Sequence, residues 1–368
     1  MYENRDPSGL RLPRRDFLHA VSAGLVAAPL AGTALSRQPE RGGDVDLAAR
    51  AHDWDWLKGN WEVWHRRLKD RLAGSNEWQE FGGKSALWLA LGGLATIDDN
   101  IVDIPSGSYR GLTVRTFDPV TASWSIWWLD GRNPERIDPP VRGRFGTDSA
   151  TFVGPDTYNG QPVTVRFRWL DIHSRRPHWE QAFSPDEGRT WEVNWENFFT
   201  RTAALATPLT LFETRNRDFD FLVGKWLVRH RRLTQRLAGS DSWETFSGTL
   251  ENWPVLGGRA NIGDNLFAKA HSARRGIGLR VFDPKAQQWV SWWIDGADPS
   301  AIGNPLRGRF EGDTGTFFGD DVQNGRPVRT RVTWSRVSPN SARWEQAMST
   351  DGGTTWETNW ISDLQRRV

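Results

Sequence analysis

The chain repeats itself. Residues 54–201 align with 219–366 at a constant offset of 165 without a gap, and 67 of the 148 aligned positions are identical. A period this long is not a solenoid unit that leans on its neighbours. It is the duplication of a whole domain, and each copy must close a core of its own within about 150 residues. The 368 residues then divide into an N-terminal address (1–34), a linker (35–50), repeat 1 (51–201), a second linker (202–216) and repeat 2 (217–368).

What the copies share is mostly tryptophan and turn residues. Of the 23 Trp, twenty fall into ten matched pairs: 61/226, 78/243, 88/253, 124/289, 127/292, 128/293, 169/334, 179/344, 191/356 and 195/360. Trp54, Trp56 and Trp64 belong to the first copy alone. Large aromatic residues favour pleated surfaces and cavity walls. The stretch Trp61-Glu-Val-Trp-His-Arg-Arg-Leu reads as a strand whose alternation puts Trp61, Val63, His65 and Arg67 on one face. Trp226, Val228, His230 and Arg232 repeat that face without change, whereas the opposite face differs at Glu62/Leu227 and Trp64/Arg229. The unchanged face is the expected inner one. Further strands are expected at 78–83, 86–91, 96–103, 110–117, 123–130, 141–145, 149–153, 163–170, 178–184 and 190–198. Gly92-Gly93, Asp118-Pro119, Asp130-Gly131, Asn159-Gly160 and Glu187-Gly188 separate several of them. No stretch of the two repeats carries a long helical period. The expectation is an all-β protein of two tandem antiparallel up-and-down β-barrels, with β-sandwiches as the alternative.

Three motifs carry a resemblance: Phe-Leu-Val-Gly-Lys-Trp at 221–226, Leu-Gly-Gly followed by Ile-x-Asp-Asn, and Trp-Glu-Gln-Ala late in each copy. Together they resemble an uncharacterised bacterial family related to the lipocalin-like, or calycin, barrels, over both repeats. The resemblance implies a barrel fold. Calycin relatives include carriers of small apolar ligands, a haem-binding group and a few enzymes, so it does not choose a function.

The segments Ser184-Pro-Asp-Glu-Gly-Arg-Thr-Trp191 and Ser349-Thr-Asp-Gly-Gly-Thr-Thr-Trp356 match an Asp-box. Its mechanics are those of a hairpin clip: Asp ties backbone N–H groups, Gly takes the strained position and Trp packs beneath. A spacing of 165 excludes the blade repeat of a propeller.

The candidate site residues follow from the inner face. His65/His230 is the His pair common to both copies and could ligate haem iron, move a proton, or simply be a hydrogen-bonded core histidine. Arg67, Arg115 and Arg166, with Arg232, Arg280 and Arg331 in the second copy, need partners if buried. Asp130, Glu180 and Glu192 could supply them, or the arginines could clamp a ligand's anionic end. In Trp127-Trp128 and Trp292-Trp293 one ring should face inward and the other outward or toward the second domain. The candidate ligand-binding set is thus Trp61, His65, Arg67, Arg115, Trp128 and Arg166 with Trp226, His230, Arg232, Arg280, Trp293 and Arg331. Glu180 and Glu192, if they met across their hairpin, could do acid–base work. No catalytic residue is assigned.

Several classes are excluded or disfavoured. Cysteine is absent, which removes disulfides, thiolate metal sites and a Cys nucleophile. No His-x-x-His spacing supports zinc, so no metal is expected. A net charge of +2 over 92 charged residues, with no Lys/Arg run, argues against nucleic acid. At the N-terminus, Leu-Pro-Arg-Arg-Asp-Phe-Leu (12–18) and an Ala/Gly-rich stretch to about Leu35 read as a twin-arginine export signal, cleaved near Gly32-Thr33-Ala34. His19 and Pro29 interrupt the stretch, which speaks against a stable membrane span. The resulting expectation is a periplasmic or secreted binding protein. It would hold a small apolar or aromatic ligand, with or without an anionic group, inside Trp-lined barrels, and repeat 1 would pack on repeat 2. A lyase, isomerase or hydratase in the barrel interior and a carbohydrate or envelope-interaction module are the alternatives. Haem is the one cofactor left open.

Overall fold

A computed structural model describes residues 45–269 and 272–367. The twin-arginine segment and its cleavage site lie outside them. The first repeat contributes β1 (Gly59–Leu68), β2 (Trp78–Ala90), β3 (Ala95–Ile104), β4 (Gly107–Asp118), β5 (Ser123–Asp130), β6 (Val141–Phe145), β7 (Ser149–Tyr158), β8 (Gln161–Leu170), β9 (His178–Ser184) and β10 (Glu192–Ala203). The second contributes β11 (Gly224–Leu233), β12 (Trp243–Val255), β13 (Ala260–Lys269), β14 (Ser272–Asp283), β15 (Gln288–Asp295), β16 (Leu306–Glu311), β17 (Thr314–Gln323), β18 (Arg326–Ser335), β19 (Ser341–Ser349) and β20 (Glu357–Arg366). Every strand pairs antiparallel with its neighbours in sequence, and β1 closes on β10 as β11 closes on β20. Two closed up-and-down barrels result. Closure leaves neither sheet an unpaired edge.

Local chemistry fixes this arrangement. Asn159-Gly160 and Asn324-Gly325 both sit at positive φ, the conformation of a two-residue turn that matches strand twist. Two strands depart from expectation: 78–83 and 86–91 are a single strand, β2, and the strand expected at 149–153 runs on to Tyr158 as β7. Lys84 does not break β2, because it faces outward and pairs with Glu62 on β1 at 3.3 Å. Single helical turns, Asp55–Leu57 and Asp220–Leu222, lie at one end of each barrel. There Trp61 donates its indole N–H to Leu57 O (2.8 Å), and Trp226 donates to Leu222 O (2.7 Å). Arg201 and Arg366 lie flat on these two rings at 4.1 and 4.3 Å. These contacts cap one end of each barrel.

The barrels pack through the outer faces of β3–β5 and β13–β15. Ile97, Leu112, Val114, Trp127 and Leu129 share one buried apolar cluster with Ile262, Ile277, Leu279, Trp292 and Ile294. Trp88 and Trp253, equivalent positions in the two copies, approach to 5.8 Å. Of each Trp pair, the first (Trp127, Trp292) is thus spent on this contact, and the second (Trp128, Trp293) turns inward.

Candidate functional site

The second barrel encloses a cavity of about 480 Å³. Reading the inner face upward from the closed end, Phe219, Phe317, Trp334 and Arg280 form the floor, and Val228, Leu250 and Leu364 the walls above. Higher still come His230, Phe246, Phe267, Trp293 and Trp360. This is the usual anatomy of a small-molecule pocket: mostly apolar and aromatic lining with a few placed polar groups. Five cations (Arg232, Arg236, Lys269, Arg274 and Arg275) stand toward the opening against two acids, Asp295 and Asp321. Glu244, just beside them, holds Arg232 and Lys269 at 2.7 Å each.

Glycines make room for the lining. The imidazole of His230 lies in the notch left by Gly248, where a Cβ would come within 2.6 Å of Nε2; His65 lies over Gly83 in the same way at 2.5 Å. Trp293 lies over Gly276 and Trp128 over Gly111, where any Cβ would overlap the indole. The Nδ1 of His230 pairs with Ser362 Oγ (2.8 Å) and that of His65 with Asn197 Oδ1 (2.6 Å). Each ring stacks on a phenylalanine, Phe246 at 4.8 Å or Phe81 at 5.0 Å. Desolvation by burial pushes both imidazoles down to about 4, so they are neutral at pH 7. To ligate a haem iron, either ring would have to turn out of its notch.

Arg280 and its counterpart Arg115 occupy the same place in the two barrels but live in different chemistry. Arg115 is paired at both Nη atoms with the Asp98 carboxylate, one contact at 2.9 Å, donates to Thr96 Oγ1 at 3.1 Å and stacks on Trp54 at 4.4 Å. In the second barrel Gly263 stands where Asp98 would be. Arg280 donates to Asn261 Oδ1 at 3.0 Å and lies between Phe219 and Trp334, 5.4 Å from each. No carboxylate pairs with it among the described residues. Burial pushes its guanidinium down to about 10.

Of the residues expected to bind a ligand, the second barrel brings His230, Arg232, Arg280 and Trp293 together around one cavity. Trp226 is elsewhere, buried under the floor. Arg331 points outward and stacks on Trp356 at 4.5 Å, as Arg166 does on Trp191 at 4.3 Å. In the first barrel His65, Arg67 and Trp128 gather around Phe81 and Trp195, Trp61 lies beneath the floor and Arg115 is engaged by Asp98. Of the expected internal network of Arg67, Arg115 and Arg166 with Asp130, Glu180 and Glu192, one pair forms, Arg166–Glu180 at 3.8 Å, and it lies outside the barrel. Asp130 binds Arg132, Glu180 binds Arg168 and Arg166 outside the barrel, and Glu192 accepts the Leu72 N–H at 2.8 Å. Glu180 and Glu192 do not face each other either. Glu192 lies opposite Phe183, and a register shift farther along β10 sets Glu180 opposite Glu196.

The sequence reading missed Phe246, Phe267, Phe317, Trp334 and Ser291. Phe246, Phe317 and Trp334 are retained from Phe81, Phe152 and Trp169 and carried the same signal as the residues that were chosen, whereas the space around them is written in inner positions where the copies disagree: Asp98/Gly263, Thr113/Gly278, Ile126/Ser291 and Phe167/Val332. Each change trades bulk in the first barrel for space in the second.

The Asp-boxes act as clips. In the second, Asp351 accepts from the N–H and hydroxyl of Thr355 at 2.9 and 2.6 Å, Ser349 Oγ accepts the Gly353 N–H at 2.8 Å, and Trp356 donates to Gly353 O at 2.9 Å. The first repeats these bonds through Ser184, Asp186, Gly188, Thr190 and Trp191.

No protein-family model matches the chain, and no curated protein does. Among solved structures it is similar to a protein of unknown function of the DUF3598 family from Nostoc punctiforme. The identity is 12%, the match covers 86% of this chain and 99% of the other, and the TM-score is 0.23. It is also similar to a double mutant of the vaccine antigen transferrin binding protein B from Haemophilus parasuis, at 5% identity over 84% and 76% of the two chains with a TM-score of 0.19. Likenesses this distant carry no functional argument.

Proposed function

We infer that the protein binds a small, largely aromatic or apolar molecule inside its second barrel, as an exported carrier of the lipocalin-like kind. The observation that carries this reading is the cavity of about 480 Å³, walled by Phe246, Phe267, Trp293 and Trp360. A filled core would have no such space, since protein interiors are close-packed. The twin-arginine motif adds that the site works in the periplasm or outside the cell. His230 lines the cavity, but its Nδ1 is bonded to Ser362 and its ring is held in the Gly248 notch, which favours a structural role over proton transfer. The outward indoles of the two Trp-Trp pairs, Trp127 and Trp292, are buried between the barrels and offer no sugar platform.

The test is native mass spectrometry of the exported protein, beside the variant Ser291→Ile/Val332→Phe, which restores the bulk found in the first barrel. A small molecule that accompanies the wild type and is missing from the variant supports the reading. A molecule retained equally by both would place binding elsewhere and defeat it.

A further inference from the structure

The two barrels differ most where they should be most alike, around the buried arginine of β4 and β14. In the first barrel the Asp98 carboxylate meets the two Nη atoms of Arg115 side by side, the planar fork geometry in which guanidinium recognises carboxylate. In the second, the carboxymethyl group is deleted at Gly263. A Cβ there would lie 3.5 Å from Arg280 Nη1 and 2.9 Å from the Cδ1 end of Leu250, so the place borders the guanidinium with the Leu250 side chain packed beside it. Gly278, where the first barrel has Thr113, likewise leaves Nη2 without a side chain beside it.

The surroundings change in the opposite sense. Leu87, Thr96 and Ile126 become Asn252, Asn261 and Ser291. Asn261 and Ser291 are the cross-strand neighbours of Arg280 on β13 and β15. Asn252 donates to Asn261 Oδ1 at 3.0 Å. The second barrel thus lost its own anion and gained neutral polar groups around a cation that is buried and yet lines the cavity. An isolated buried charge is costly unless something pairs with it. Above it the wall is apolar and aromatic, and the opening is rimmed by cations, which raises the local concentration of anions. From Arg280 to Arg274 along β14 is six residues, roughly 20 Å at strand rise. The cavity can therefore take an elongated molecule with its charged end down.

We propose that the second barrel binds an aromatic or apolar carboxylate with the carboxylate on Arg280, and that the first barrel is its self-occupied counterpart, in which Asp98 fills the place of the ligand's anion. This rests on the binding function inferred above and names the class of ligand. It also assigns the barrels different roles: the second is the receptor and the first a closed structural partner.

The experiment uses two probes of one shape, 4-biphenylcarboxylate and the uncharged 4-biphenylcarboxamide, titrated into the full protein and followed by tryptophan fluorescence and calorimetry. The carboxylate is expected to bind at least tenfold more tightly than the amide, at one site per chain. Arg280→Gln should bring the two probes level. Gly263→Asp, which supplies the internal anion, should remove carboxylate binding while its circular dichroism and melting temperature remain those of a folded protein. If the amide binds wild type as tightly as the carboxylate, or if Arg280→Gln keeps the preference, the carboxylate assignment falls while cavity binding stands. If neither probe binds, both readings fall.

Discussion

Asp99 and Asp264 exchange places across the barrel contact: Asp99 Oδ1 accepts the backbone N–H of Leu256 at 3.1 Å, and Asp264 Oδ1 accepts that of Leu91 at 3.4 Å. Residue i of one copy meets residue j of the other and the reverse, which is the signature of a two-fold interface. Here it is built within one chain. Leu91 and Leu256 sit at φ 50° and 52°, a left-handed conformation that costs a leucine energy, and the reciprocal carboxylates hold those turns in place. Arg110 and Arg275 face the two carboxylates at 3.6 and 3.3 Å. Even so, desolvation raises both acids to about 6. The sign follows. A carboxyl whose folded pKa lies above its unfolded value contributes stability that is fully present below about pH 4 and lost as pH rises through 6. Wild type should therefore gain on Asp99→Asn/Asp264→Asn as pH falls from 7.5 to 4.5. Urea midpoints of both proteins at the two pH values measure this; parallel pH dependence would refute it.

The two buried histidines pull the other way. With folded values lowered to about 4, His65 and His230 contribute stability that is present above pH 6.5 and lost as pH falls toward 4. The groups facing His65 include Asn197, Asp103 and Arg67, and Arg232 faces His230. In a proton NMR titration both imidazoles should remain neutral at pH 5.5 and titrate near 4. A midpoint near 6.5 for either would show that its ring is hydrated.

Fold and site were legible in the sequence to different depths. Self-alignment exposed the duplication, and the alternation of Trp61, Val63, His65 and Arg67 named an inner face correctly, because side-chain direction in a strand has period two. Closure of ten strands could be expected from spacing and turns. The site was half legible. Retained residues such as His230 and Arg280 were found, but retention also marked Trp226, which caps the floor, and Arg331, which stacks outside on Trp356. Identity between repeats reports what both barrels need in order to fold. A cavity present in the second barrel must be written in the differences, as at Asp98/Gly263 and Ile126/Ser291. Pairing partners were illegible for another reason: the hairpin sets Glu192 opposite Phe183, three residues from Glu180, and a bulge farther along β10 then shifts the register of the residues that do face Glu180.

Gly276 supports the cavity wall by having no side chain. A methyl group there would overlap the ring of Trp293, which is 39% exposed. Gly276→Ala should cost roughly 1–3 kcal/mol, the usual penalty of overpacking. It should also red-shift the tryptophan emission as the indole becomes wetter. An unchanged spectrum with unchanged stability would mean that the notch is not tight.

The Asp-box clip is local. The Asp351 carboxyl is held well below its usual range by bonds from Ser349 and Thr355, and the carboxyl itself is exposed. Asp351→Ala should speed amide exchange across 351–356 and loosen the stack of Arg331 on Trp356, with the barrel strands unaffected. Faster exchange spread through β19 and β20 would instead give the clip a global role.

The Asp98–Arg115 pair makes the last prediction, and it turns on what surrounds the arginine. Both side chains are almost fully buried. Removing one partner of such a pair leaves an uncompensated charge and costs about 3–5 kcal/mol. Arg280 survives without an acid because Asn261 bonds it and Asn252 and Ser291 stand close by. Arg115 instead has Leu87 and Ile126 at the latter two positions. Asp98→Gly should thus destabilise the first barrel severely. Adding Leu87→Asn and Ile126→Ser, which copies the second barrel's surroundings, should recover part of that loss and open a binding site for 4-biphenylcarboxylate in the first barrel. Denaturant unfolding measures the first effect and calorimetric stoichiometry the second. A triple variant no more stable than Asp98→Gly alone would show that the neutral polar groups are not what lets the second barrel keep its arginine.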